Sequence, residues 1–409
     1  MSSRLMGIVF LFVSLLGYAA GTEKPKVNGG VLDARSYDLK SSGSIPLDGK
    51  WIVYYDELVS PRDPKAGFAY TDFPEIWQNG QGVATYEMTI LLGEATENLA
   101  LELPQMYSAY KLYCNGELLA ENGKVGTNRS SNRPQWLPKL VDIPGNPETI
   151  NLILQVANFN HAMGGTKVSL VLGTSNELTA KRKLAELVNL GLFGILVVLG
   201  IVFLSVYAFF KKEKGVLYFA LMCLVWSLRS VFSELYLAIQ WLPNLDWELA
   251  VKIEYLTLLL EASLAVLFIS RLYPFDTHSI INRILTYPIY LFIFFVMATP
   301  AALYTKFLNI YLGAAGLVIL YVIVVTVRAI IYERYGARFG VLGILAGVGA
   351  FSYNMASYLG FFEFNPLLYH TFYVVTFVAV SLALSYQLSP NASKMNTSDE
   401  MRFDDFIKY

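Results

Sequence analysis

The chain has 409 residues, of which 55% are hydrophobic, 14% aromatic and only 15% charged, a balance too apolar for a soluble protein of this length and one that points to a membrane protein. A net charge of -1 gives no basic surface for nucleic acid, and neither a Gly-rich phosphate loop nor zinc-type cysteine spacing is present, so nucleic acid, nucleotide cofactors and structural zinc are not expected. The two cysteines, Cys114 and Cys223, lie far apart in regions of opposite character, which argues against a disulfide between them.

Residues 1–21, "MSSRLMGIVFLFVSLLGYAAG", carry Arg4 ahead of an apolar stretch and small residues near Ala19 and Gly21, the pattern of a secretory signal peptide. An uncleaved signal anchor is the alternative, because a single basic side chain precedes the apolar run. Either form sends the following domain across the membrane.

Residues 25–178 read as a soluble domain. Between 45 and 172 short runs rich in β-branched and aromatic residues, among them "GKWIVYYDEL", "ATYEMTILL", "NLALELP", "TINLILQVAN" and "KVSLVLG", are separated by Gly, Pro and Asn. In "YKLYCNGELLA" the Asn115-Gly116 pair suits a two-residue hairpin turn with both residues left-handed. Strands at this spacing predict an antiparallel β-sandwich of the jelly-roll kind, with Trp51, Tyr55 and Tyr86 in its core.

Taken in order, "PLDGKWIVYYDELVSP", "GVATYEMTILL", "LPQMYSAYKLYCNGELLAENGKVG" and "LQVANFNHAMGG" leading to "LVLGTSNEL" make this domain resemble the periplasmic galactose-binding-like sandwich of bacterial seven-transmembrane receptors with diverse intracellular signalling modules. The resemblance extends over nearly the whole chain after residue 21. It implies a small periplasmic ligand, with a sugar or glycan as the expected class. A sugar site pairs an aromatic platform with amide, guanidinium or carboxylate groups, which makes Tyr107, Arg133, Trp136, Asn158 and His161 the candidate ligand-binding residues. For "FNHAMGG", the connection between two strands, three readings stand side by side: a structural turn pinned by Asn158, a ligand-lining loop, and a metal site at His161, the last without a second ligand at suitable spacing. Trp136, between Pro134 and Pro138, equally suits a role pinning its own loop to the sandwich.

From 184 to 388 the chain is a series of apolar runs long enough to span a bilayer, at 184–210, 216–239, 248–271, 284–302, 305–327, 339–361 and 367–388. Positive charge sorts by loop: Lys211, Lys212 and Lys214, then Arg271 and Arg283, then Arg328, Arg334 and Arg338 occupy alternate connections. By the positive-inside rule those loops are cytoplasmic and the sandwich lies on the opposite side, which the resemblance implies is the periplasm, facing a bacterial inner membrane. The cluster "KRK" at 181–183 disagrees with this assignment. Within the spans, Arg229 is expected to pair with Glu254 or Glu261, which lie seven residues apart on one helix face, as a static ion pair or as one that exchanges partners between two states.

Residues 389–409 form a short tail. Relatives in the resembled family carry a signalling enzyme at this point, and 21 residues are too few for one. "SDEMRFDDFIKY" reads as a brief amphipathic helix docking on a cytoplasmic signalling protein, as a disordered tail, or as the start of a further domain; the sequons Asn391 and Asn396 are not expected to be glycosylated in a cytoplasmic tail.

The resulting expectation is a multidomain membrane protein, a periplasmic antiparallel β-sandwich followed by an α-helical seven-transmembrane bundle, acting as a sensory receptor without catalytic residues, metal or cofactor. The alternatives are a regulatory membrane subunit whose sandwich binds an envelope protein, a transporter, and a membrane enzyme. The last two lack, respectively, polar groups in more than two spans and a reactive constellation.

Overall fold

The computed structural model describes residues 24–63, 67–77, 80–93, 98–211, 213–358 and 365–388. The expected signal peptide, Lys212, residues 359–361 of the sixth expected span, and the tail with its two sequons lie outside the described residues.

Two sheets form the N-terminal domain. The larger has the order β4 (Ala69–Phe73), β3 (Gly49–Tyr55), β6 (Gly82–Leu92), β11 (Thr149–Asn158), β8 (Ala109–Cys114) and β9 (Glu117–Asn122). All these pairs are antiparallel, while β1 (Val31–Ala34) runs parallel to β6. The smaller sheet is β10 (Lys139–Asp142), β7 (Leu99–Leu103), β13 (Val171–Thr174) and β2 (Ile45–Pro46). A two-residue pair, β5 (Ile76–Trp77) with β12 (Gly164–Gly165), closes one end.

The period of two in the sequence explains the packing. Along β6, Tyr86, Met88 and Ile90 point into the core, and the register sets Tyr86 opposite Leu154 and Met88 opposite Leu152 of β11. Trp51 is fully buried, stacks on Phe73 at 4.3 Å, and donates its indole N–H to the Leu47 carbonyl at 2.8 Å. The Asn115-Gly116 turn joins β8 to β9 with φ of 49° and 89°, as expected. Tyr55 departs from the core expectation. It ends β3 at 47% exposure and donates its hydroxyl to Glu75 Oε1 at 2.9 Å, because the sheet has no facing strand beyond that point.

The helical region follows β13 without a linker. Among the described residues its seven long helices are α1 (Ser175–Val206), α2 (Lys214–Phe232), α3 (Trp247–Leu272), α4 (Ser279–Ala298), α5 (Leu308–Ile331), α6 (Ala337–Tyr358) and α7 (Pro366–Gln387). Six helices among the described residues are long and apolar enough to cross a membrane. α1 packs against α2 and α7, while α3 packs against α2, α4 and α5 and so occupies the middle of the bundle.

Two boundaries differ instructively from the hydropathy reading. α1 begins nine residues before the first expected span, capped by the Thr174 hydroxyl, and this extension carries the discordant "KRK". There Lys181 pairs with Glu177 at 2.8 Å and reaches Ser44 Oγ, while Arg182 pairs with Glu186 at 3.0 Å and donates to the Pro138 carbonyl at 3.1 Å. Those charges fasten the helix to the sandwich, which gives them a structural use unconnected with sorting loops across a membrane.

The second expected span, 216–239, is instead cut at Ser233. Glu234 and Tyr236 take left-handed φ of 58° and 48°, and a separate short turn of helix, Leu237–Trp241, follows. At the far end of the bundle, Arg334 pairs with the buried Asp276 at 2.9 Å and ties two connections together.

Candidate functional site

The sandwich is seated on the bundle by three of its loops, and four of the five expected ligand residues meet in that seam. Asn158 ends β11, completely buried. Its Oδ1 accepts from the N–H groups of Asn160 (3.2 Å) and His161 (3.0 Å), and its Nδ2 donates to the carbonyls of His161 (2.8 Å), Met163 (2.8 Å) and Gly80. The amide is thus occupied by main-chain groups, as the structural-turn reading requires.

His161, at 2% exposure, stacks on Tyr107 with centroids 5.0 Å apart and meets the edge of Trp136 at 5.6 Å. Its Nδ1 accepts the Met163 N–H at 3.0 Å, and its Nε2 has no partner. Burial pushes the imidazole pKa down to about 4, against the Met163 backbone hydrogen bond, which opposes the shift. The described residues contain no group of three His, Cys, Asp or Glu arranged to hold a metal.

Trp136 donates its indole N–H to the Tyr107 carbonyl at 2.7 Å, and its ring meets Tyr236 at 5.4 Å and Trp247 at 5.9 Å, both from the bundle. The aromatic platform expected of Trp136 and Tyr107 is therefore closed: their rings are covered by His161, Tyr236 and Trp247. Arg133 stands apart from the other four, exposed, with its main chain bridged to Lys124. Two contacts lock the loops to one another and to the bundle. Asn132 Nδ2 donates to Ser108 Oγ at 2.9 Å and Asn160 Oδ1 at 3.1 Å, and the Ala162 N–H crosses the seam to Thr305 Oγ1 at 3.0 Å.

Below the seam, Arg229 lies near the sandwich-facing end of α2. Its Nη1 donates to the main-chain carbonyl of Glu254 at 2.9 Å, and no ion pair among the described residues joins it to the carboxylate of Glu254 or Glu261. The expected direct pair is corrected by geometry: Arg229 is one turn from the end of α2 and meets α3 at the Glu254 backbone, while Glu261 lies about 10 Å further along α3. Glu254 Oε2 and both carboxylate oxygens of Glu261 are buried without a hydrogen-bond partner among the described residues.

Reading the sequence alone missed the bundle's half of the seam, Tyr236, Trp247 and Thr305. Aromatic residues at the polar end of a span are common enough that nothing distinguished these three. Tyr236 was further hidden inside an expected span, which the extended Ser233 and the left-handed Glu234 and Tyr236 interrupt.

Three solved structures similar to part of the chain are a Faecalibacterium prausnitzii β-glucuronidase (13% identity, TM-score 0.25, 32% of this chain and 31% of that one), an Eisenbergiella tayi GH2 β-galacturonidase bound to galacturonate (16%, 0.24, 32% and 24%), and a Ruminococcus gnavus β-glucuronidase in complex with D-glucuronic acid (13%, 0.24, 32% and 29%). The chain spans less than a third of each of these proteins. No curated protein matches it. The family described as 7TM diverse intracellular signalling matches residues 185–389, half of the chain, and the protein belongs to that family.

Proposed function

We propose that this protein is a sensory receptor of a bacterial inner membrane whose periplasmic sandwich binds a small glycan and passes a change of packing through the seam to the cytoplasmic side, where an effector reads it. The observation that carries this reading is the seam itself. The loop after β11 is bound to the bundle by the Ala162–Thr305 hydrogen bond, and the rings of Tyr107, His161 and Trp136 continue into Tyr236 and Trp247. A ligand that shifts the sandwich loops must disturb those contacts, and a ligand signals only if it binds one arrangement better than the other. Of the five candidate residues, Arg133 is open to direct contact with a sugar, while Tyr107, Trp136, Asn158 and His161 serve the relay.

The test is a thermal-shift screen of the full chain in lipid nanodiscs against envelope sugars and peptidoglycan fragments, followed by hydrogen exchange on any hit. The expected result is a saturable shift, weakened by Arg133→Ala, with altered exchange both in residues 159–163 and in the sandwich-facing ends of α2 and α3. A hit whose protection stops within the sandwich, or no hit across the panel, overturns the glycan-receptor reading.

A second reading, a regulatory subunit that binds an envelope protein, is favoured by one observation. β4 is an edge strand carrying exposed Phe68 beside it and Tyr70 within it, at 54% and 55% exposure, a surface suited to pairing with another strand. An envelope partner crosslinked through a photoreactive residue at Tyr70, and lost on Ala69→Pro, is the outcome that would favour it.

A further inference from the structure

Buried polar groups are nearly always hydrogen-bonded, so a cluster that is not calls for a missing partner. Such a cluster lies where the sandwich meets α3 and α5: Gln105 Oε1, Trp247 Nε1, Glu254 Oε2, and the hydroxyls of Tyr304 and Tyr311 have no partner among the described residues. They share one neighbourhood. Tyr255 meets the Tyr304 ring edge-on at 5.2 Å and the Tyr311 ring at 5.9 Å, and it interacts electrostatically with Glu254 on one side and Tyr107 of the sandwich on the other. Tyr236 bridges Gln105 and Glu254 in the same way, and Trp247 abuts Trp136.

The charge balance states what kind of partner is missing. Arg229 is the cation acting on Glu254 and Glu261, whereas Glu234 is acted on by His370 as well as Arg229, so the two α3 acids share one guanidinium. That guanidinium's described hydrogen bond goes to a carbonyl, and Glu261, 7% exposed, leaves both oxygens without a donor. Lys252 offers no relief, being paired with Glu248 at 3.4 Å. An anion would be disfavoured beside the Glu254 carboxyl group, whose Oε2 lacks a donor among the described residues, whereas a cation brings that oxygen both a donor and a countercharge. A chelated metal needs a convergent set of acids, and the described residues hold no such group of three. A carboxylate beside several tyrosine rings fits an organic ammonium group, which gains both the charge-assisted hydrogen bond and the cation–π attraction of the rings.

We propose that the seam contains a binding site for a small organic ammonium ligand, its cationic nitrogen on Glu254 and its substituents against Tyr255, Tyr304 and Tyr311. Gln105 supplies a further acceptor from the sandwich, so the ligand bridges both domains and its occupancy sets how firmly the sandwich is seated. The site does not depend on the glycan proposed for the sandwich.

The probes are methylammonium, ethanolamine, choline and tetramethylammonium chloride, with the neutral choline isostere 3,3-dimethylbutan-1-ol and with NaCl at matched ionic strength as separate arms, applied to the full chain in nanodiscs. At least one ammonium probe is expected to raise the melting temperature saturably while the isostere does not. Glu254→Gln, which keeps shape and removes charge, should weaken that probe roughly tenfold or more. Tyr311→Phe, which keeps the ring, should weaken it by no more than roughly threefold, the scale of one neutral hydrogen bond. Tyr304→Leu gives the same reading as Glu254→Gln should the latter not fold. No shift with any ammonium probe, or a shift undiminished by both Glu254→Gln and Tyr304→Leu, overturns the proposal. A saturable NaCl shift with the same dependence on Glu254 overturns it in favour of a metal ion. Because this readout involves no sugar, its failure leaves the glycan screen as a separate question.

Discussion

The sandwich core and the seam are both buried and both rich in aromatic rings, but their polar atoms are treated differently. In the core, Trp51 hands its indole N–H to Leu47, Tyr86 donates to Glu75 Oε2 at 3.0 Å while accepting from Trp77 at 2.6 Å, and most of the remaining volume is apolar; the Tyr110 hydroxyl, Asn122 Oδ1 and Ser169 Oγ are scattered exceptions. In the seam, His161 Nε2, Gln105 Oε1, Trp247 Nε1, Glu254 Oε2 and the hydroxyls of Tyr304 and Tyr311 are orphaned within one aromatic cluster. A region whose polar groups are satisfied has little to gain from any other packing, whereas one with unsatisfied groups gains whenever a ligand, a proton or a shift supplies a partner. The core is therefore the rigid body and the seam is the part able to respond.

The most severe test of that division removes the core's largest side chain. Trp51→Ala deletes a completely buried indole, its stack on Phe73 and its bond to Leu47. The expected cost is about 3–5 kcal/mol, read as a drop of roughly 10 °C in the sandwich's unfolding transition within the full chain. The bundle's transition should stay in place. A matching fall in both transitions would mean that core and seam unfold as one body, and the comparison above would fail.

Protonation probes the seam more gently. His161 has its folded-state pKa pushed below the ordinary 6.5 to about 4 by burial, so the unfolded chain binds the proton more readily. The stability held by the neutral imidazole is fully present above pH 6.5, declines as pH falls, and is largely lost by pH 4, a total of roughly 3 kcal/mol. Melting temperatures at pH 7, 5.5 and 4 should show this slope in the native chain, and a flatter one in His161→Phe, which keeps the stack on Tyr107 but cannot be charged. Parallel slopes for the two proteins would assign the acid sensitivity to other groups.

Much of this was legible in the sequence, and what was not had physical reasons. The period-two runs marked β3, β6, β7, β8, β9, β11 and β13, Asn115-Gly116 marked the hairpin, and the apolar runs marked the long helices although the second overran Ser233, because each is a local pattern imposed by backbone geometry. The five candidate ligand residues were chosen for chemistry, and the structure brings Tyr107, Trp136, Asn158 and His161 together while leaving Arg133 outside. What covers those four comes from more than 70 residues later in the chain, at Tyr236, Trp247 and Thr305, and no local pattern records a contact at that separation. Arg229 illustrates the same limit. A meeting with α3 at Glu254 or Glu261 was expected, but whether Arg229 met a carboxylate or a carbonyl depended on where α2 ends, and the left-handed residues just beyond its end sit inside an otherwise continuous apolar run.

The smallest expected effect isolates a single bond across the seam. Thr305→Val keeps side-chain volume and removes the acceptor of the Ala162 N–H, while also releasing the hydroxyl's own bond to the Ala301 carbonyl at 2.6 Å. The net cost should be about 1 kcal/mol, too little to shift the core transition. At the Ala162 amide itself, hydrogen exchange should accelerate by roughly fivefold, as an opening free energy lowered by about 1 kcal/mol implies. If amides in β6 and β11 accelerate equally, the bond stabilises the sandwich as a whole. If the change stays within residues 159–163 and the sandwich-facing end of α5, the loop opens independently of the core it caps, and that independence is what a seam must have if a ligand is to move it without unfolding the domain above.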